Sequence, residues 1–289
     1  MTKIEKSLVA EIDGRYYIID EKTEKTEDFN ILSMNIINPV YEVIRIINGI
    51  PLFMEDHYQR LINSSMALGI QLEYTQEYIL RQIDSLLKLN EKNNCNVKII
   101  IYSTESARDD SAQRFVCYIS KSYYPDIETV RKGVPVSLIK LEREKPNVKI
   151  LNDQYRQKVS SKIEEDGVFE VLLVNSDGKI TEGSKSNVFF VKGEKVFTAP
   201  DSYVLKGITR KYILDSCRSA GVEVIEELVD VNSLENFDGV FLSGTSIKVL
   251  PVSRIDNMIF KSGTCPTIVA IRDEFDRLLE KYIQEHRQK

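Results

Sequence analysis

The chain has 289 residues, 42% hydrophobic and 29% charged, enough for one large or two ordinary domains with a sizeable core. Its 39 basic and 44 acidic side chains give a formal charge of −5, which argues against a nucleic-acid or anionic-membrane partner. No apolar run reaches the length of a membrane span and Met1-Thr2-Lys3-Ile4-Glu5-Lys6 does not read as a signal peptide, so a cytoplasmic protein is expected.

In chain order, strands over residues 8–12 and 16–19 flank Asp13-Gly14, and residues 20–28 read as a solvated loop. Residues 40–47 and 50–53 flank Asn48-Gly49, a pair suited to the positive φ angles of a tight hairpin turn. Strand alternation there puts Tyr41, Val43 and Arg45 on one face and Glu42, Ile44 and Ile46 on the other. A helix is predicted over 55–68, with Tyr58, Leu61, Ile62 and Met66 as its apolar side and Gly69 as its stop. A second starts near Thr75 and carries Ile79, Ile83, Leu86 and Leu87 at helical spacing. Strands over 97–102 and 115–120 follow. Residues 121–126, with Pro125, are the best interdomain linker.

The second half alternates more regularly. Strand 134–141 precedes a helix from about 151 to 165 closed by Gly167, then strands 169–174 and 187–191. Thr209 is expected to cap a helix through Ala220, with Gly221 just past its end. Strands 222–225 and 239–242 lead to a terminal helix opened by Thr264 and Pro266. The organisation is α+β in two domains: residues 1–121, a linker at 122–127, and residues 128–289.

Chemistry is limited by what is scarce. The only histidines are His57 and His286, so a Ser-His-acid triad or a His-rich zinc site would have to use one of them. Proton transfer is therefore expected from Lys, Tyr, Asp, Glu or a cofactor, and no metal site is expected. Cys95, Cys117, Cys217 and Cys265 show no metal-ligand spacing and read as unpaired thiols of a reducing compartment. Three segments set small residues at the end of an element: Thr181 to Ser186, Leu205 to Arg210, and Leu242 to Ser246. Glu182 in the first is either a solvated turn carboxylate or one with a specific partner. Gly207 and Thr209 in the second offer helix N-terminal amides, to water or to a phosphate. Ser243-Gly244-Thr245 is either a tight turn or a further set of donors.

Six motifs in order resemble those of class IV (fold-type IV) pyridoxal-phosphate enzymes, the family of branched-chain and D-amino-acid aminotransferases and aminodeoxychorismate lyase. They are Val40-Tyr41-Glu42-Val43-Ile44-Arg45, Glu55 to Leu61, Lys149-Ile150-Leu151-Asn152, Thr181-Glu182-Gly183-Ser184 to Phe189, Leu205 to Arg210, and Ser243-Gly244-Thr245 to Val252. The resemblance implies a smaller N-terminal α/β domain and a larger C-terminal β-rich pseudo-barrel domain with helices, working as a homodimer. Exposed aromatic pairs at Tyr16-Tyr17 and Tyr123-Tyr124 would suit such an interface.

The roles implied are specific. Lys149, between Val148 and Ile150, would form the Schiff base with pyridoxal 5'-phosphate and shuttle the α-proton. Glu182 would bind the pyridine nitrogen; Arg60, the Ile208 and Thr209 amides and Thr245 would hold the phosphate. Tyr41 and Arg45 would approach the substrate. The activity implied is amino-group transfer between an amino acid and a 2-oxo acid; a pyruvate-releasing lyase and a non-catalytic dimeric relative are the alternatives. The chain departs from the family pattern at Asn35 to Pro39, where a Gly-Asp-Gly type turn is usual, and at Ser103 to Ser106, where the aminotransferases carry a substrate-binding arginine and the nearest one here is Arg108. It departs again at Lys248, in place of a glutamate, and at Lys185, in place of a small residue.

Overall fold

A computed structural model describes residues 12–29, 36–103, 113–143, 146–150 and 152–287. The chain divides into two compact units, Met1–Ser122 with Val148–Asp153 and Glu285–Lys289, and Tyr123–Asn147 with Gln154–Gln284. The first unit is built on β1 (Tyr16–Ile19), β2 (Lys22–Lys25), β3 (Ile37–Ile47), β4 (Ile50–Pro51), β5 (Cys95–Ser103) and β6 (Gln113–Ser120). These strands form an antiparallel sheet in the order β2-β1-β6-β5-β3-β4.

Asn48 and Gly49 turn β3 into β4 with φ of 52° and 80°, the left-handed pair that the dipeptide announces. A second such turn joins β1 to β2 at Asp20 and Glu21, with φ of 46° and 67°. The stretch expected as a loop at 20–28 therefore holds a strand. All four residues of β2 are exposed at the sheet edge, so no apolar alternation marks it. Of the strand expected at 8–12, Ile12 makes an isolated bridge to Ser120 and the rest lies outside the described residues.

Two helices, α1 (Met54–Ala67) and α2 (Gln76–Asn90), belong to the core on one face of this sheet. Thr75 caps α2, its hydroxyl accepting from the Tyr78 amide at 3.2 Å. Ile79, Ile83, Leu86 and Leu87 pack with Ile44, Ile46, Val97, Ile99 and Ile101. The expected apolar side of α1 needs correction. Met66 is 66% exposed, and the buried residues are Met54, His57, Arg60, Leu61, Ser64 and Ser65. Tyr17, expected at an exposed interface, is buried edge-on against Phe29, whereas Tyr123 and Tyr124 are exposed.

In the second unit α3 (Ile127–Lys132), β7 (Val134–Lys140), α4 (Asp153–Asp166), β8 (Glu170–Val174), β9 (Lys179–Gly183), β10 (Asn187–Lys192) and β11 (Lys195–Thr198) lead to α5 (Ile208–Ser219). Then come β12 (Glu223–Glu226), β13 (Val229–Asp230), β14 (Gly239–Gly244), β15 (Lys248–Ile255), β16 (Met258–Ile259) and α6 (Pro266–Arg287). The strands form one large curled sheet, β12-β11-β10-β14-β15-β7-β8-β9-β13, with β16 on β15. Val188, Phe190, Val240, Leu242, Leu250 and Val252 fill one side of it. By alternation Asn187, Phe189, Phe241 and Ser243 face the other side, where the two rings stack at 4.7 Å. The chain is thus mixed α+β, as the sequence suggests.

Ile83 is 1% exposed within the first core. Ile83→Ala should lower unfolding free energy by about 2–4 kcal/mol, the range for truncating a fully buried aliphatic side chain. Guanidinium titration with an unchanged slope checks this; a loss below about 0.5 kcal/mol would contradict the packing described.

Candidate active site

In the first unit the site begins with a carboxylate that points the wrong way for an ordinary strand. Alternation on β3 turns Glu42 inward with Ile44 and Ile46, and it is 1% exposed. A buried carboxylate needs charge partners, and α1 supplies them. His57, Arg60 and Ser64 recur at three- and four-residue spacing, forming an inward stripe that is polar. Arg60 donates through Nε to Glu42 Oε1 at 2.7 Å and through Nη2 to Oε2 at 2.6 Å. His57 Nδ1 lies 2.6 Å from Oε2, so it is the protonated ring nitrogen and donates. Burial alone would push the Glu42 carboxyl up, but the Arg60 guanidinium and both sets of hydrogen bonds hold it well below the usual carboxylate range. Burial pushes the His57 imidazole down from 6.5, against the pull of Glu42.

The Lys149 segment lies against the same elements. Tyr41 donates its amide to the Lys149 carbonyl at 3.2 Å, and Val40 and Ile150 form an antiparallel bridge. The Lys149 amide reaches Ser64 Oγ at 3.4 Å. Its Nζ lies over the Tyr41 ring, 4.9 Å from the centroid. Lys98, 5% exposed on β5, places its Nζ 5.1 Å from that same centroid. Lys149 and Tyr41 are therefore brought together, with Arg60 one helical turn before Ser64. Arg45 is half-buried on the Tyr41 face, about 13 Å further along β3 at the usual strand rise.

The second unit holds two further buried carboxylates. Glu182, in β9 rather than in a turn, is 2% exposed. Its Oε2 accepts from the Leu205 amide at 3.1 Å, and Oε1 pairs with Arg143 Nε at 3.3 Å. Arg143 stacks over Tyr155 at 5.1 Å, and both donate to the Ser184 carbonyl. Burial pushes the Tyr155 hydroxyl up to about 12, so it serves as a donor. Glu170 accepts from the Lys185 amide at 2.6 Å, Ser186 Oγ at 3.1 Å and Ser184 Oγ at 3.3 Å. It thereby ties down the turn after Glu182. Burial pushes the Glu170 carboxyl up, against these bonds. A Cβ on Gly183 would come within 2.7 Å of Glu170 Oε1 and 2.2 Å of Ser186 Oγ, which is why glycine stands there. Lys185 has an exposed side chain, and its contribution to this network is its amide.

Helix α5 begins earlier than the sequence suggests. Its N-cap is Gly207, with no side-chain cap, and Thr209 lies inside the first turn. Position 207 is tight: a Cβ there would meet Asn187 Oδ1 at 2.3 Å, and Asn187 donates to the Leu205 carbonyl at 3.0 Å. Ile208, Thr209 and Arg210 are buried and the turn carries no acid. Arg210 turns back to Asp201 at 2.6 Å and the Ala199 carbonyl at 2.9 Å. Ser243, paired with Asn187 across β10 and β14, is 1% exposed and its hydroxyl has no hydrogen-bond partner among the described residues. A buried helix N-terminus without a side-chain cap or an acid leaves first-turn amides to water or to an anion. Thr245 is half-buried just beyond β14. Lys248, at φ 53°, pairs with Asp276 at 2.7 Å.

Sequence reasoning missed Glu42, His57, Arg143, Tyr155 and Glu170. For the first two a signal existed: alternation puts Glu42 among isoleucines, and His57, Arg60 and Ser64 fall on one helical face. Arg108 and Leu151 lie outside the described residues.

A smaller unit of antiparallel sheet and helices and a larger unit with a curled sheet have the fold of the type IV aminotransferases. The model of the amino-transferase class IV family matches residues 39–255. The chain belongs to that family. It is 28% identical to the D-alanine aminotransferase of Bacillus licheniformis over 84% of this chain and 88% of that one. Aminodeoxychorismate lyase of Bacillus subtilis is 24% identical over 95% and 96%. Among solved structures, the branched-chain amino acid aminotransferase of Escherichia coli shares the fold with a TM-score of 0.80 at 22% identity, covering 92% of this chain and 95% of that one. The branched-chain enzyme of Thermobaculum terrenum, solved in its PLP form, gives 0.79 at 24%, covering 95% and 96%.

Glu42 and His57 both bind protons more weakly in the folded chain than when unfolded, so acidification favours unfolding. Their stabilisation is present above 6.5 and is lost as pH falls, first for His57 and then, below 4.5, for Glu42. Unfolding free energy measured from pH 7.5 to 4 should fall, and Glu42→Gln should flatten the fall at the acid end. Parallel curves for the two proteins would contradict this.

Proposed function

We propose that this chain is a pyridoxal 5'-phosphate-dependent aminotransferase whose working amine is Lys149. The observation that carries this reading is the Lys149 segment laid on β3 and Ser64, with Nζ over the Tyr41 ring. When bound, the cofactor supplies an electron-withdrawing ring that accepts the electrons freed at the substrate α-carbon.

The remaining roles belong to the chain's own residues. Lys149 Nζ tethers the cofactor and carries the α-proton. Glu182, paired with Arg143 and accepting from the Leu205 amide, would bind the pyridine nitrogen. The Ile208 and Thr209 amides and the Thr245 hydroxyl would each serve as phosphate donors, and Arg60, in its own unit, is assigned the same role. Tyr41 and Arg45 take the substrate side. We take the working form as a homodimer, and its four buried free cysteines suit the cytoplasm. A second reading, a lyase releasing pyruvate, is favoured by the near full-length match to aminodeoxychorismate lyase.

Reconstituted protein should gain a visible absorbance band, and borohydride should fix the cofactor on the peptide containing Lys149. Label on Lys185 or Lys98 would sink the assignment. Lys149→Ala should lose at least about 10³-fold in turnover, the scale for removing a covalent catalytic group. Formation of a pyridoxamine form with amino donors marks a transaminase; pyruvate from aminodeoxychorismate without an acceptor marks the lyase.

A further inference from the structure

The inward stripe of α1 is made of groups that a core ordinarily excludes. A buried ion pair is seldom more stabilising than apolar side chains of the same volume, so packing alone gives no reason for Glu42, His57 and Arg60. We propose that Glu42 and His57 are positioning residues that fix the Arg60 guanidinium for the phosphate of the cofactor. This rests on the reading of Arg60 given above.

The geometry is that of a clamp. Glu42 takes Nε and Nη2 of Arg60 together, at 2.7 and 2.6 Å, which fixes the guanidinium in rotation as well as in place. In the planar fork Nη1 then lies on the edge turned away from Glu42. The carboxylate would still be able to swing about its own axis if it met only Arg60. His57 removes that freedom by binding Oε2 at 2.6 Å. Both partners are buried, His57 at 3% and Glu42 at 1% exposure, so water does not compete for these bonds. The stripe continues one turn on to Ser64, which holds the Lys149 amide. One helix face therefore sets the spacing between the arginine and the lysine segment.

The test compares affinities for pyridoxal 5'-phosphate and for pyridoxal, which lacks the phosphate, by absorbance titration of the full-length protein. Wild type should prefer the phosphorylated form. Arg60→Ala should erase much of that preference, and Glu42→Gln should lower it by about tenfold, the scale of one mis-set charge-assisted hydrogen bond, with pyridoxal affinity unchanged. His57→Gln, which keeps a donor but not the ring geometry, should lower it less; this variant carries the test if Glu42→Gln does not fold. Arg60→Ala/Glu42→Gln should match Arg60→Ala alone. If Arg60→Ala loses the preference while Glu42→Gln and His57→Gln keep it, the two residues are structural only and this proposal is overturned. If Arg60→Ala keeps it, the phosphate role of Arg60 falls, and the proposal with it, while a visible cofactor band would leave the Lys149 assignment standing.

Discussion

The cost of burying one carboxylate organises the first unit. Glu42 sits among isoleucines because strand alternation admits no other direction for it, and an unpaired charge there would cost several kcal/mol. Arg60 and His57 offset that cost, and α1 must present them at the right height. The helix start follows from this. Phe53 adopts φ 53°, a left-handed conformation rare for a side chain of its size, and launches α1 directly after β4.

The second unit handles the same problem twice. Glu170 and Glu182 are both buried on neighbouring strands, and each is satisfied mostly by backbone amides, small hydroxyls or an arginine. These are rigid partners. Amides belong to elements already fixed by the sheet, so the carboxylates inherit their precision from the fold. Gly183 is the junction, since any side chain there would collide with Glu170 and Ser186. The turn expected to be a string of polar side chains is thus a backbone structure in which Lys185 contributes an amide.

Much of the architecture was legible because it depends on local rules. Asn-Gly turns, the Thr75 cap and the apolar spacing of Ile79, Ile83, Leu86 and Leu87 each act within a few residues. What failed did so where tertiary partners decide. Met66 has helical spacing appropriate to a core but meets solvent, while Arg60 looks like a surface residue and meets Glu42. Thr209 has the chemistry of a cap, yet Gly207 takes the position, close against Asn187. Edge strand β2 is polar throughout and carries no alternation to read. Lys149 stood out from the other lysines only through the order of motifs around it; local physics alone does not single it out.

The most direct test of the Glu42 clamp reads the histidine in it. The chain has two histidines, so a proton–nitrogen correlation spectrum of the imidazoles can be assigned with a His286→Gln variant. Burial predicts that His57 remains neutral below 6.5, and the clamp that its proton sits on Nδ1 and is donated to Glu42. A neutral ring carrying its proton on Nε2 would contradict the clamp, and a ring that protonates at or above 6.5 would contradict the burial that isolates it.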